Sequence, residues 1–137
     1  MSKKLWATMI LALGLVLLIS GMAAAAKYQN LTGTWIGPLW AAYWNNGSYN
    51  YYQGPSLPLV VEGQDANGMF YGNLDGDPLT GSIATNKAIT ATVYSGGRYG
   101  IINAKLTGKK ITGTYTDYAT TPTPWIQTYK FELFLQP

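Results

Sequence analysis

From Leu31 to the end of the chain, apolar residues recur at every second position in short runs, and the runs are separated by Gly, Asn, Asp and Pro. No part of this region repeats apolar positions at helical spacing. Period-two alternation bounded by turn residues predicts half-buried strands joined by hairpins. The pattern places strands near 31–40, 57–64, 69–75, 79–85, 88–95, 98–106, 110–117 and 125–135. The turns between them are "DANG" (65–68), "GDP" (76–78), "TNK" (85–87), "SGG" (95–97) and "TGKK" (107–110), with "TTPTP" (120–124) as a longer loop. "NNGS" (45–48) predicts an additional hairpin inside the segment 39–55, because Asn-Gly favours a type I′ turn.

A five-residue pattern recurs on four of these strands: "LTGTW" (31–35), "FYGNL" (70–74), "LTGSI" (79–83) and "ITGTY" (111–115). Each reads apolar, x, Gly, polar, apolar. Alternation puts the two apolar residues and the glycine on one face. Glycine weakens a strand, so its repeated inward placement needs a cause. A tightly curved sheet supplies one, since the interior is crowded and the strand must bend. The fold expected is all-β, an antiparallel up-and-down β-barrel of about eight strands, closed so that no edge is left unpaired. A β-sandwich shares the periodicity and is the alternative. An outer-membrane barrel would place the apolar face outward on strands of about 9–11 residues, and most runs here are shorter. The inward face is expected to hold Trp35, Leu59, Val61, Phe70, Leu79, Ile102, Ile111, Tyr115, Tyr129 and Phe131, among others.

The N-terminus changes the picture of where the chain works. Lys3 and Lys4 precede an apolar run from Leu5 to Ile19, and "SGMAAAA" (20–26) follows. A basic start, an apolar run and small residues in an A-x-A pattern describe a secretory signal peptide. The run is shorter than the roughly 20 residues of a spanning helix, which argues against an uncleaved anchor. Residues 1–26 are therefore read as signal and 27–137 as a single β-barrel domain, secreted or periplasmic, with no stable membrane insertion after cleavage. The chain has no cysteine, so a small exported domain must rely on packing and hydrogen bonds alone. Its formal charge of +3 falls to +1 once Lys3 and Lys4 leave. That balance offers no electrostatic footprint for nucleic acid.

Candidate chemistry is sparse. Without His or Cys there is no Ser-His-Asp or Cys-His catalysis and little means of holding zinc. The acids are Glu62, Asp65, Asp75, Asp77, Asp117 and Glu132. Asp75 and Asp77 resemble a catalytic carboxylate pair in spacing, but "LDGDP" is also what a hairpin turn requires. "NLDGDP" (73–78) has oxygen ligands at alternate positions, yet it lacks the Gly and Glu that an EF-hand loop places sixth and twelfth. The sequence thus predicts no enzyme, no catalytic residue, no metal and no cofactor. Lys87, Arg98, Lys105, Lys109, Lys110 and Lys130 read as a solvated outer face.

The chain resembles the small barrels of the avidin and lipocalin type. "LTGTW" is similar to the opening of avidin-type proteins, and "ITGTY" to their recurring strand motif. Gly33-Thr34-Trp35 is similar to the Gly-x-Trp with which lipocalins begin. The resemblance implies a meander barrel whose first Trp plugs one end. The biotin-site pattern is not matched. Avidin-type sites place an Asn and a Ser soon after the first Trp, whereas Trp35 is followed by "IGPLWAAYW", with neither before Asn45.

"LWAAYWNNGSYNYYQGP" (39–55) holds six aromatics and no charge. Trp40 and Trp44 share a parity, as do Tyr49 and Tyr51, while Tyr43 and Tyr52 fall on the other faces of their arms. A hairpin turning at Asn46-Gly47 would set rings across from one another, each pair adding roughly 0.2–1 kcal/mol. Trp and Tyr also carry a broad apolar face with one polar tip, which suits a wet binding surface. The expectation is a non-catalytic binding protein that takes a small apolar ligand or a glycan on a rim of Trp40, Tyr43, Trp44, Tyr49, Tyr51 and Tyr52. The alternative is a structural or interaction module that forms a homo-oligomer through the same segment.

Overall fold

The computed structural model describes residues 26–45, 48–96, 98–119 and 125–137, and within its strands it leaves out the side chains of residues 42–45, 48–52, 55, 98, 119 and 125. The predicted signal peptide lies outside the described residues except for Ala26. The strands are β1 (Gly33–Asn45), β2 (Ser48–Gln64), β3 (Met69–Leu74), β4 (Asp77–Ile83), β5 (Ala88–Ser95), β6 (Arg98–Thr107), β7 (Lys110–Ala119) and β8 (Trp125–Leu135). Each pairs antiparallel with the next, and β1 pairs with β8 as well, so the ring is a closed barrel in sequence order. Trp35 shows the closure directly, lying across from Leu59 on one side and Leu135 on the other. This is the expected up-and-down barrel, not the sandwich.

The arms of the hairpin expected in the aromatic segment pair as far as Asn45↔Ser48, as continuations of β1 and β2 and not as an additional pair of strands. Asn46 and Gly47 lie outside the described residues. The register slips between Gly37 and Leu39, where Pro38 on β1 and Pro55 on β2 withhold amide donors from the ladder.

The interior is filled by side chains, as eight strands allow. The row Ile89, Ala104, Gly113, Phe131 and Leu39 runs across five strands in register. A Cβ on Gly113 would stand 2.5 Å from the Ala104 Cβ, and one on Gly81 would stand 2.6 Å from the Phe70 ring. At these two positions glycine leaves room for the close approach of neighbouring strands and side chains. Most of the expected core is buried, from Leu31 and Trp35 to Phe131 and Leu133. Tyr115 and Tyr129 are corrected to partly buried, and Leu39 and Ala41 join the core. Tyr115 and Tyr129 line a cleft, and Ala41 joins because β1 runs past residue 40, where alternation had ended the strand. The outer face mixes Thr, Ser, Asn and Lys with exposed Met69, Tyr71, Tyr94, Tyr99, Ile101, Ile126 and Phe134, and has cross-strand hydroxyl contacts of 3.3 Å at Ser82–Thr90 and Thr116–Thr128.

Candidate functional site

The two barrel ends are built from different residues. At the end where β1 begins and β8 finishes, Trp35 is 2% exposed and donates its indole N–H to the Leu31 carbonyl at 2.8 Å. The Gln64 side chain fastens the entering chain across this end, accepting from the Leu31 amide and donating to the Gln29 carbonyl, each at 2.8 Å. Tyr28 packs against the same core. Every polar group named here has a partner, so the end is sealed at no desolvation cost to an orphan donor.

At the opposite end the wall is uneven. β3 and β4 have 6 and 7 residues, whereas β2 has 17. At about 3.3 Å per residue the tall strand outreaches the short ones by roughly 30 Å of chain, only part of it along the barrel because strands tilt. The low side ends in the Asp75-Gly76 turn. Both residues are left-handed, with φ of 50° and 88°, which is the geometry of a type I′ hairpin. The Asp75 amide donates to the Pro58 carbonyl at 2.8 Å, and the Gly76 amide to Asn73 Oδ1 at 3.2 Å, so the rim is fixed.

Between the low and tall sides opens a cleft of about 200 Å³. Leu57 and Leu74, both buried, form its floor. Tyr115 and Tyr129 form its tall wall, their rings stacked with centroids 5.5 Å apart and planes 22° from parallel. The Tyr129 hydroxyl donates to Gln127 Oε1 at 2.7 Å. Gly100, across from Asp117 on β6, leaves the room that the Tyr115 ring occupies, since a Cβ there would collide with the ring. Asp75 and Asp77 reach the cleft from the low side and Asp117 from the tall side. Asp117 is 8% exposed and is the buried charged residue among those described. Among the described residues no group of three or more acids comes close enough to hold a metal ion.

The sequence-predicted rim lies at this same end. Trp40 is half-buried and stands between Gln53 on β2 and Lys130 on β8. Tyr43, Trp44, Tyr49, Tyr51 and Tyr52 have their backbones on the β1–β2 ladder, and their side chains lie outside the described residues. The register sets Trp44 across from Tyr49 but sets Tyr51 and Tyr52 across from Ala42 and Ala41. Directly opposed aromatic pairing is thus confined to one position of the hairpin. Sequence reasoning missed Asp117, Tyr115 and Tyr129 as site residues. The signal was present: Ile111, Gly113, Tyr115 and Asp117 share one parity, which carries a carboxylate inward at the end of an apolar face.

A second aromatic group was also missed. Tyr94, Tyr99 and Tyr118 stand in register on the outer face of β5, β6 and β7. Tyr94 meets Tyr99 edge-on at 5.2 Å, and Tyr99 stacks on Tyr118 at 5.8 Å. Exposed Ile126 continues the row on β8. Compared with protein-family models, curated proteins and solved structures, the chain matches none.

Proposed function

We propose that the mature chain is an exported, non-catalytic binding protein of lipocalin- or avidin-like design that takes a small ligand at one end of its barrel. The observation that carries this reading is the contrast between a sealed end and an end that opens on an aromatic, acid-bearing cleft. Ligand sites are concave and carry convergent polar groups. The cleft sets carboxylates and tyrosines around a small apolar floor, and at about 200 Å³ it suits a compact polar molecule or one residue of a larger one, such as a glycan terminus. The interior proper is packed with side chains, so the ligand sits at the mouth and not inside the barrel.

The test uses Trp44→Ala and Tyr51→Ala. If the hairpin is a rim, both variants stay folded, and retention of a bound glycan or lipophile from a screened panel falls by about tenfold, as loss of one ring contact implies. Melting, mass in solution and ligand retention are read on the same samples. Collapse of stability with no change in retention would reduce the hairpin to a structural element and remove the rim from the account.

A second reading, self-association, is favoured by the outer tyrosine row with exposed Ile126 beside it. Under that reading Tyr99→Ala, at the centre of the row, leaves a folded monomer in place of an oligomer.

A further inference from the structure

We infer that the outer face of β2–β6 is a second binding site, for a strand of uncharged polysaccharide, and this does not depend on the mouth being a site. Two shallow hollows lie side by side on this face, of about 460 and 380 Å³, and they share Met69 and Thr80. Together they cross the strands from Gly63 on β2 to Asn103 on β6, four inter-strand spacings or roughly 19 Å. The register explains the shape. Tyr71, Thr80, Thr92 and Ile101 stand across from one another in one row, and Met69, Ser82, Thr90 and Asn103 in the next. Each row puts a large side chain on β3, short hydroxyl-bearing ones on β4 and β5, and a larger one on β6. The short side chains make a floor, and exposed Met69 and Ile101 stand as its banks.

The chemistry of this surface selects the occupant. Tyr71 is 57% exposed, and its ring lies over Gly63, where a Cβ would stand 2.7 Å from it. The ring is therefore held against β2 and still open to solvent. Aromatic and apolar surface packs on the C–H faces of sugar rings, and a few hydroxyls placed among it fix their orientation. Thr80, Thr92 and Asn103 make no side-chain hydrogen bond among the described residues, so their donors and acceptors face outward. Among the described residues Asp65 is the one charged side chain lining the hollows. Its Oδ1 accepts from the Asn67 and Met69 amides at 2.8 and 2.9 Å. The face thus matches a neutral polymer and offers no field to a charged one. Other occupants fit less well. The barrel is closed, so an extended peptide finds no free strand edge to pair with. A second copy meeting this face across a two-fold axis would set hollow against hollow and fill neither.

Calorimetry on the mature chain tests this with cellohexaose, mannohexaose and laminarihexaose, the matching disaccharides, and hexagalacturonate as the charged control. The inference expects saturable binding of a neutral hexasaccharide and at least about tenfold weaker binding of its disaccharide, because only the longer chain crosses both hollows. Hexagalacturonate should not bind. Tyr71→Ala should weaken the hexasaccharide about tenfold, as loss of one ring contact implies. The double variant Thr80→Val with Thr92→Val removes two hydroxyls at nearly constant volume and should weaken it several-fold. All three side chains are exposed, and thermal melting run alongside should be unchanged. If no neutral hexasaccharide binds, or hexagalacturonate binds as well, the inference is overturned. If Tyr71→Ala leaves binding intact and Trp44→Ala abolishes it, the sugar sits at the mouth; the inference fails and the mouth reading stands. If Tyr71→Ala dissociates an oligomer without changing sugar binding, the face is an interface between copies and the inference fails. Loss of hexasaccharide binding in Tyr71→Ala, with no effect of Trp44→Ala or Tyr51→Ala on any ligand, upholds the outer site and removes the mouth.

Discussion

At the sealed end of the barrel, Trp35 is buried with its indole N–H donated to the Leu31 carbonyl; at the mouth, Asp117 is buried too, but beside a cleft walled by Tyr115 and Tyr129. The same eight strands make both ends. What differs is strand length and the choice of inward residue. At the sealed end, apolar side chains and a strap of residues held by Gln64 remove the core from water. At the mouth, β3 and β4 stop short, and the inward positions of the tall strands turn from Ile and Phe to Tyr and Asp. The comparison assigns stability to the sealed end; under the proposed function the mouth is the end that meets a ligand.

The largest break of this comparison is Trp35→Ala. Removing a fully buried ring costs about 3–5 kcal/mol. Denaturant unfolding should show that loss, and a change under about 1 kcal/mol would mean that the sealed end contributes little to the fold. Gly113→Val comes next, acting in the middle of the barrel. Its side chain would press on Ala104 across β6, and overpacking of this kind costs roughly 1–3 kcal/mol. An unchanged melting temperature would place Gly113 on the solvent face and overturn its close packing against Ala104. The smallest effect on stability belongs to Gly100→Ala. The added methyl meets the movable Tyr115 ring, so the expected cost is about 1 kcal/mol or less. The Tyr115–Tyr129 stack should nonetheless be displaced, seen as a loss of mutual ring-current shifts by NMR. A variant with both rings unmoved would show that Gly100 does not shape the mouth.

Much of this fold was legible in the sequence because alternation is a property of each strand by itself. The parity of Phe70, Leu79, Ile102 and Phe131 named inward positions without knowledge of any partner strand. The Gly pattern pointed to crowding for the same reason. The hairpin was less legible. Alternation ended the first strand at residue 40, whereas the tertiary pairing of β1 with β8 carries the ladder on to Tyr43↔Gln127. The mouth was the least legible part. Its cleft exists because β3 and β4 are short and β7 and β8 are long, a relation between strands distant in sequence. Asp117 stood in an inward register, but only the three-dimensional arrangement sets it beside the Tyr115–Tyr129 stack and across from Asp75 and Asp77. The aromatic segment drew attention by its composition, while the residues lining the cleft are scattered over five strands and one turn.

The most direct test of the difference between the ends is an amide-resolved NMR titration of the mature chain with the glycan or lipophile that it retains from the screened panel, following the Trp35 indole N–H in the same spectra. The account predicts saturable shifts at Gly100, Tyr115, Asp117 and Tyr129 and in the Asp75-Gly76 turn, with the Trp35 indole and Leu31 unmoved. Shifts centred on Trp35 and Leu31, with the mouth unchanged, would contradict it.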